Sequence, residues 1–317
     1  MRIKQLKEIS MLSTRPMKSV SGVYRVMSVR RLSENLQSGG RTLLLSDSTG
    51  TLEVFLRPGE VQPWFPPAAP FRMRIMLGQQ EKRLWVDPDS IEPAESFQSV
   101  LLIPPVWAAR DECLPRLVSL YDALHSSAVR LFWDEVFRNV VWLRSFLTAP
   151  ASQVCHHAFR GGLSVHSVQV AEQVQDVLRR VDHLRPLERD GAVTVALLHD
   201  ASKVPVDGLT RPWRIPFSRS EHARLLPYLL SQPLDYLKRC DADAWGVLVR
   251  ILDDYTRPRE RANSPLADIV RKVDQLNAHL DARYLSHCAA GNGKNWLQCC
   301  GRNTWVPTRE VSSAQRG

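Results

Sequence analysis

The sequence predicts a multidomain protein in which a small N-terminal β-barrel is followed by an all-α domain. Two changes along the chain support this fold class. Apolar residues repeat with a period of about two up to residue 97, and with a period of about 3.6 from residue 111 onward. The length of 317 residues also exceeds that of one small module and accommodates two domains.

Five N-terminal segments are rich in β-branched and aromatic residues and are bounded by turn residues. They are Val20–Leu32, Arg41–Leu45, Thr51–Leu56, Phe71–Leu77 and Arg83–Val86. Five short strands, the first of them the longest, are typical of a small closed barrel of the OB type. Such barrels bind single strands through a basic groove with stacking aromatic rings. The rings available here, each of them also a candidate for the barrel core, are Tyr24, Phe55, Phe71 and Trp85.

The C-terminal region has the apolar period of amphipathic helices in several segments. They are Leu114–Leu124, Val129–Leu147, Leu163–Val181, Arg189–His199, His222–Ser231, Asp243–Tyr255 and Leu266–Leu285. We therefore predict an OB-like nucleic-acid-binding barrel over residues 1–97, a linker over 98–110 and an all-α domain over 111–285. Residues 286–317 lack a helical period and are predicted to form a loosely ordered tail.

The chain is basic, with 42 Lys and Arg against 33 Asp and Glu, a net charge of +9. Such an excess favours polyanionic partners, although a solvated basic surface explains it equally well. No stretch of 18 apolar residues is present, so no membrane-spanning helix and no membrane partner are expected. The N-terminal basic residues precede no apolar segment, and the six cysteines are few. A cytoplasmic location is therefore expected.

Histidines and aspartates at the borders of the predicted helical core carry the chemistry. His166 and Asp274 each flank the apolar stripe of a helix, and the doublet His199-Asp200 ends the apolar run 192–198. A carboxylate in such a place needs a cation or strong hydrogen bonds. Imidazole and carboxylate ligands on facing helices suit Mn²⁺, Mg²⁺, Fe²⁺ or Zn²⁺. The two stripes are predicted to comprise Leu163, Val170, Ala171, Val174, Val177, Leu178 and Val181, and Leu266, Ile269, Val270, Val273, Asn277 and Leu280.

The order His166, His199-Asp200, Asp274 resembles the H…HD…D motif of the HD-domain phosphohydrolase superfamily. The segment 146–151 (FLTAPA) and the segment 156–163 (HHAFRGGL) that precedes His166 are similar to those of bacterial OB-fold/HD 3′→5′ exoribonucleases of the YhaM type. That family also places a small nucleic-acid-binding barrel ahead of the HD domain. A related signature occurs in HD-containing conjugative relaxase proteins of the MobH/TraI type, which the chain also resembles.

The resemblance implies a metal-dependent phosphodiesterase that degrades single-stranded nucleic acid, with RNA favoured over DNA and Mn²⁺ as the expected ion. It implies that Asp200 and Lys203 are catalytic and that Lys203 and His157 contact substrate phosphate. It also implies two groups of metal ligands. These are His166, His199, Asp200 and Asp274 for the principal ion, and His222 for a second ion.

The sequence departs from the family pattern at the second metal site. Asp253-Asp254 stand where the family has a His-His doublet, so Asp254 is the candidate ligand there. Ser202 also replaces the glycine of the family's HD-x-Gly-Lys motif, so the turn that faces the phosphate is expected to differ.

A basic loop over residues 211–219 follows the doublet. Because aromatic and basic side chains together suit stacking and phosphate contacts, Arg211 and Trp213 are candidate substrate-binding residues, and an ordinary surface loop is the alternative. Two other functions stay open for the chain. One is a nucleic-acid-binding accessory protein of a conjugative or integrative element, without turnover, and the other is a nucleotide phosphohydrolase.

Overall fold

The computed structural model describes residues 6, 19–31, 40–56, 64–77, 83–152, 157–204, 219–257, 264–289, 296–299 and 302–305. The chain divides into two compact units, the first formed by Met1–Ala123 with Arg130–Arg138 and the second by Leu124–Val129 with Asn139–Gly317. A five-stranded β-barrel lies in the first unit, and helices dominate the second. The predicted order of a barrel followed by a helical region is therefore confirmed.

The barrel closes because its first strand is long enough to pair on both sides. Strand β1 pairs antiparallel with β4 through its first half and with β2 through its second half, with a register shift between Val26 and Ser28. Strands β2 and β3 pair antiparallel, β3 and β5 pair parallel, and β5 returns antiparallel to β4. The five strands are β1 (Ser19–Arg31), β2 (Arg41–Asp47), β3 (Gly50–Leu56), β4 (Pro70–Leu77) and β5 (Leu84–Val86). A short strand, β6 (Glu92–Pro93), extends the sheet beside β4.

Strand alternation separates the four aromatic candidates of the barrel. Tyr24 and Phe71 are buried in its core, which excludes them as stacking surfaces. Phe55 and Trp85 alternate with core residues and therefore face outward, in register across β3 and β5. Their ring centroids are 5.4 Å apart, and the Arg83 guanidinium lies 4.9 Å from the centroid of Phe55. The outer face of the barrel thus presents an aromatic pair beside an arginine.

A buried arginine attaches the segment after the barrel to β1. Arg25 Nε donates to the carbonyl of Leu102 at 2.8 Å, and its Nη1 donates to that of Ala68 at 2.7 Å. The guanidinium also lies 5.1 Å from the ring centroid of Trp107. Burial lowers the pKa of Arg25 to about 10. Residues 98–110, predicted as a linker, therefore lie in the first unit and include the buried run 100–103.

The helical segments largely follow the predicted ones. They are α1 (Cys113–Ala123), α2 (Ser127–Val136), α3 (Val140–Thr148), α4 (Gly162–Leu178), α5 (Pro186–Leu198), α6 (Arg219–Leu229), α7 (Ser231–Cys240), α8 (Ala242–Thr256) and α9 (Pro265–Ala289). Within the ranges given above, each helix is too short or too polar to cross a membrane.

Three details of the sequence-based prediction are wrong. The single helix Val129–Leu147 is two helices, because Asn139 caps α3 by accepting a hydrogen bond from the Trp142 amide at 3.1 Å. Helix α7 was not predicted. Val177 and Leu280, assigned to apolar stripes, are 43% and 49% exposed. Within the segment predicted as a tail, the structure describes an antiparallel pair, Trp296–Cys299 (β7) and Arg302–Trp305 (β8).

The first unit contains a buried carboxylate with an unusual proton affinity. Asp134 of α2 accepts hydrogen bonds from the Tyr121 hydroxyl at 2.9 Å and from the Ser99 amide at 2.7 Å. Burial raises the pKa of Asp134 to about 7, although both hydrogen bonds and the charge of Arg138 favour the carboxylate.

Replacing this carboxyl group tests its effect on stability. The folded chain binds the Asp134 proton more tightly than the unfolded chain, so its contribution is present below about pH 4 and is lost as the pH rises through about 7. A rise of the pKa from 3.8 to about 7 corresponds to at most about 4 kcal/mol. We expect Asp134→Asn, whose amide oxygen can accept from Ser99 while its NH₂ group donates to the Tyr121 hydroxyl, to abolish this loss in urea titrations at several pH values. Asp122→Asn, at an exposed carboxylate of α1, is the control. A loss of equal size in wild type and Asp134→Asn would contradict the assignment.

Candidate metal centre

His166 lies in the second turn of α4 and is fully buried, rather than on the flank of the helix as predicted. Both ring nitrogens face α9. Nδ1 lies 2.8 Å from Asn277 Oδ1, and Nε2 lies 3.1 Å from Asp274 Oδ1. Because the amide oxygen can only accept, Nδ1 donates to it, and Nε2 would offer its lone pair to an ion bound in the cluster.

His199 reaches the same place from the end of α5. Its Nδ1 lies 2.7 Å from the carbonyl oxygen of Ala196, one turn earlier in the helix, and donates its proton there. Its Nε2 lies 3.2 Å from His166 Nε2 and 3.5 Å from Asp274 Oδ1. The His199 ring is therefore oriented by a backbone carbonyl at the end of α5, and not by a side chain at Nδ1.

Asp200 completes a set of atoms whose spacing matches that of metal ligands. Its Oδ2 lies 3.3 Å from His199 Nε2 and 3.7 Å from His166 Nε2. Ligand atoms about 2.1 Å from an ion stand about 3.0 Å apart in an octahedron and about 3.4 Å apart in a tetrahedron. The buried group His166, His199 and Asp200 could therefore hold a metal ion, with Asp274 Oδ1 adjacent to both imidazoles.

The charges of the cluster show that it needs a cation. Burial disfavours the imidazolium of His199, but the carboxylates of Asp200 and Asp274 outweigh burial and raise the pKa of His199 to about 10. Burial likewise opposes ionisation of Asp274, but hydrogen bonds with His166 and His199 hold its pKa well below the ordinary value. The Asp274 carboxylate thus retains its charge beside a ring that binds a proton tightly, and a divalent ion would compensate this charge in place of that proton.

Lys203 supplies a further positive charge next to Asp200. Its Nζ donates to Asp200 Oδ2 at 2.5 Å and to the carbonyl of Ala151 at 2.9 Å. It belongs to the 3₁₀ turn Ala201–Lys203, which is held in place because Trp142 Nε1 donates to the carbonyl of Ala201 at 3.1 Å. The structure thus pairs Lys203 with Asp200, and the predicted contact of Lys203 with substrate phosphate stays a prediction.

His157 packs on the other side of His166, with ring centroids 5.3 Å apart. Its backbone has a positive φ of 48°, and its amide donates to Asp281 Oδ2 at 2.8 Å. Its Nε2 lies 3.3 Å from Asn277 Oδ1. Burial lowers the pKa of His157, which favours the neutral ring. The structure therefore brings His157 to the centre, one residue removed from the ligand atoms.

Of the remaining predicted site residues, the structure describes only the side chain of Asp254. Asp254 of α8 is buried, and the groups near it are Arg250 Nε, 3.7 Å from its Oδ2, and Arg257 Nη1, 3.9 Å from its Oδ1. His222 lies in the first turns of α6, but its side chain is outside the described part of the chain, as are Arg211 and Trp213. Their roles, and a second metal ion at Asp254, stay predictions.

Sequence reasoning missed Asn277, which we now place behind the metal centre. Its Oδ1 accepts from His166 and lies near His157, and its Nδ2 donates to Gln169 Oε1 at 3.3 Å. The sequence signal that could have indicated Asn277 is an amide side chain within an apolar stripe. A buried amide there needs a hydrogen-bond partner, because an unsatisfied polar group would be costly. Groups that fix the second nitrogen of a ligating histidine tune metal affinity.

Comparison of the chain with protein-family models finds no family that matches it, and a search of curated proteins also finds no match. The case for a function therefore depends on the geometry of the cluster and on the motif that the sequence carries.

Removing the Asn277 amide tests whether it positions His166. Because Asn277→Ala leaves His166 Nδ1 without its acceptor, we expect Mn²⁺ affinity to fall about 10- to 100-fold. Asn277→Asp retains an acceptor and should bind Mn²⁺ within about 3-fold of wild type. Isothermal titration with Mn²⁺ measures both variants, with Asp176→Asn, at an exposed position of α4, as the control. Equal affinity in wild type and Asn277→Ala would show that the amide does not act on His166.

Proposed function

We propose that the chain is an HD-type, metal-dependent phosphodiesterase that hydrolyses single-stranded nucleic acid from its 3′ end, with RNA preferred to DNA. The observation that carries this proposal is the convergence of His166 Nε2, His199 Nε2 and Asp200 Oδ2 at separations of 3.2 to 3.7 Å. The H…HD…D order of these residues with Asp274 supports the HD assignment.

The donor set favours a hard or borderline divalent ion. Two imidazoles and two carboxylates suit Mn²⁺, Mg²⁺, Fe²⁺ or Zn²⁺, and the resemblance to the HD superfamily favours Mn²⁺ among them. His166, His199, Asp200 and Asp274 would hold the ion. When bound, such an ion lowers the pKa of water and polarises a phosphoryl oxygen.

The chain's own residues have separate tasks in the proposed reaction. Water attacks phosphorus, the bond from phosphorus to the 3′ oxygen of the preceding nucleotide breaks, and that oxygen takes up a proton. The Asp200 carboxylate accepts the proton that water gives up. The Lys203 ammonium, held by Asp200 and by the carbonyl of Ala151, stabilises negative charge that develops on the phosphoryl oxygens. His166 and His199 keep their Nε2 atoms aimed at the centre through their Nδ1 hydrogen bonds.

The barrel supports a polymeric rather than a mononucleotide substrate. Its closed strand order β1-β2-β3-β5-β4 is compatible with an OB-like barrel, a type whose members commonly bind oligonucleotides. Phe55, Trp85 and Arg83 on its outer face combine rings with a positive charge, as single-strand surfaces do. A mononucleotide needs no such surface.

Loss of the Asp200 carboxylate tests the chemistry. We expect wild type with Mn²⁺ to shorten 5′-labelled single-stranded RNA stepwise from the 3′ end, and DNA more slowly. Asp200→Asn removes a ligand and the partner of Lys203, so the rate should fall at least about 1,000-fold. Asp176→Asn, an exposed carboxylate on α4, is the matched control and should retain the wild-type rate.

Other outcomes of this assay separate the alternatives. Binding of RNA without cleavage under Mn²⁺ and Mg²⁺ would contradict the enzyme and leave the accessory protein. Hydrolysis of free nucleotides that persists without cleavage of any strand would indicate the nucleotide phosphohydrolase. A single internal cut in DNA would point to the relaxase-like relatives.

The aromatic pair of the barrel gives a separate test of strand binding. Because stacking contributes about 1–3 kcal/mol per base, Phe55→Ala and Trp85→Ala should each weaken binding of a single-stranded 20-mer about 5- to 100-fold. Fluorescence anisotropy measures the affinity, and Thr51→Ala, at an exposed position of β3, is the control. Unchanged affinity in both ring variants would exclude this face as the binding surface.

A further inference from the structure

The turn between α3 and α4 presents an aromatic ring and an arginine to solvent beside the metal centre. We propose that this turn, His157–Gly161, is a nucleotide subsite in which Phe159 stacks on the base next to the scissile phosphate and Arg160 contacts a phosphate of the strand. This inference rests on the proposed function and adds to it the residues that hold the reacting nucleotide.

The turn is fixed by backbone hydrogen bonds at both of its ends. The Ala151 amide donates to the carbonyl of His157 at 3.1 Å, and the Gly161 amide donates to that of Thr148 at 2.9 Å. The Gly162 amide closes the turn by donating to the carbonyl of Phe159 at 2.8 Å. The side chains of Phe159 and Arg160 therefore project from a backbone that is held in one conformation, as a binding subsite requires.

Glycine is required at two positions of this turn for different reasons. Gly161 has a φ of 81°, in the left-handed region that favours glycine. A Cβ atom on Gly162 would overlap the carbonyl oxygen of His157. The close approach keeps His157 over His166 while the chain turns outward through Phe159.

A chain of ring contacts joins Phe159 to the metal centre. The Phe159 and His157 centroids are 5.8 Å apart in an edge-to-face arrangement, and those of His157 and His166 are 5.3 Å apart. His166 then meets His199 at 5.1 Å. Phe159 is thus two ring contacts from a ligand, at the place where a nucleotide flanking a bound phosphate would lie.

The exposure of the turn indicates binding rather than packing. A ring that served only to fill the turn would be buried, whereas Phe159 is 37% exposed and its neighbours Ala158 and Arg160 are also exposed. Rings of this kind stack on unstacked bases without selecting among them. Arg160 and the nearby Lys203 provide charge for phosphate, while Asp281, the carboxylate on this side, accepts from the His157 amide.

The test asks whether the effect of a Phe159 variant depends on the presence of a particular base in the strand. Three 5′-labelled oligoribonucleotides are compared: one intact, one with an abasic residue at the 3′ terminus and one with an abasic residue at the preceding position. We expect Phe159→Leu to lower kcat/KM about 5- to 30-fold on the intact strand, and less than about 2-fold on one of the abasic strands. Phe159→Tyr, which keeps the aromatic face, should resemble wild type.

Controls separate binding from structure. Phe159→Leu keeps an apolar side chain, and its Mn²⁺ affinity should equal that of wild type, because Phe159 contacts no metal ligand directly. Arg160→Gln should raise KM and weaken the salt dependence of KM with kcat unchanged, because the phosphate contact is electrostatic. Asp176→Asn, at an exposed position of α4 outside the turn, should leave all parameters unchanged.

The outcomes distinguish this proposal from the proposed function. An equal loss for Phe159→Leu on all three strands would overturn the subsite while leaving the enzyme intact. If wild type cleaves none of the strands, the proposed function fails. The subsite is then tested by fluorescence anisotropy, which measures the affinity of wild type and Phe159→Leu for the same three strands. Coupling between Phe159 and one base would then support the subsite, and its absence, or no binding at all, would overturn it.

Discussion

Two carboxylates and two imidazoles converge in a largely buried cluster of the second unit, where unbalanced charge would be costly, and the packing around the cluster has to balance that charge. In the chain alone, the high proton affinity of His199 and the ammonium of Lys203 compensate Asp200 and Asp274. The ligand atoms of His166, His199 and Asp200 lie at separations that could hold a metal ion. Such an ion would replace the proton of His199 as the compensating charge.

Helix α9 serves the centre from one face, because residues three, four and seven apart lie on the same side of a helix. Asp274 faces His166 and His199, Asn277 lies between His166 and His157, and Asp281 accepts from the amide of His157. One helical face thus supplies a carboxylate beside the ligand cluster, an amide that orients a ligand and an anchor for the turn. The same anchor positions the segment that carries Phe159.

Local patterns predicted most of the fold, because the strands of the barrel and the long helices are amphipathic over their whole length. The split of Val129–Leu147 was missed because an apolar repeat continues through both helices, and the cap at Asn139 is visible only once its hydrogen bond is known. His166, Asp200 and Lys203 were predicted from the motif. Asn277 was not, because its partner is 111 residues away in the chain and no local period encodes that contact. The exposure of Phe55 and the burial of Phe71 likewise follow from closure of the barrel.

Anomalous diffraction from Mn²⁺-soaked crystals tests the central claim most directly. The account predicts one strong peak about 2.0–2.3 Å from both His166 Nε2 and His199 Nε2, with carboxylate oxygens of Asp200 and Asp274 in the same coordination sphere. Replacement of Asp200 by Asn should weaken this peak or remove it. Absence of manganese between the two imidazoles in wild type, or a dominant peak elsewhere, such as at Asp254, would contradict the account.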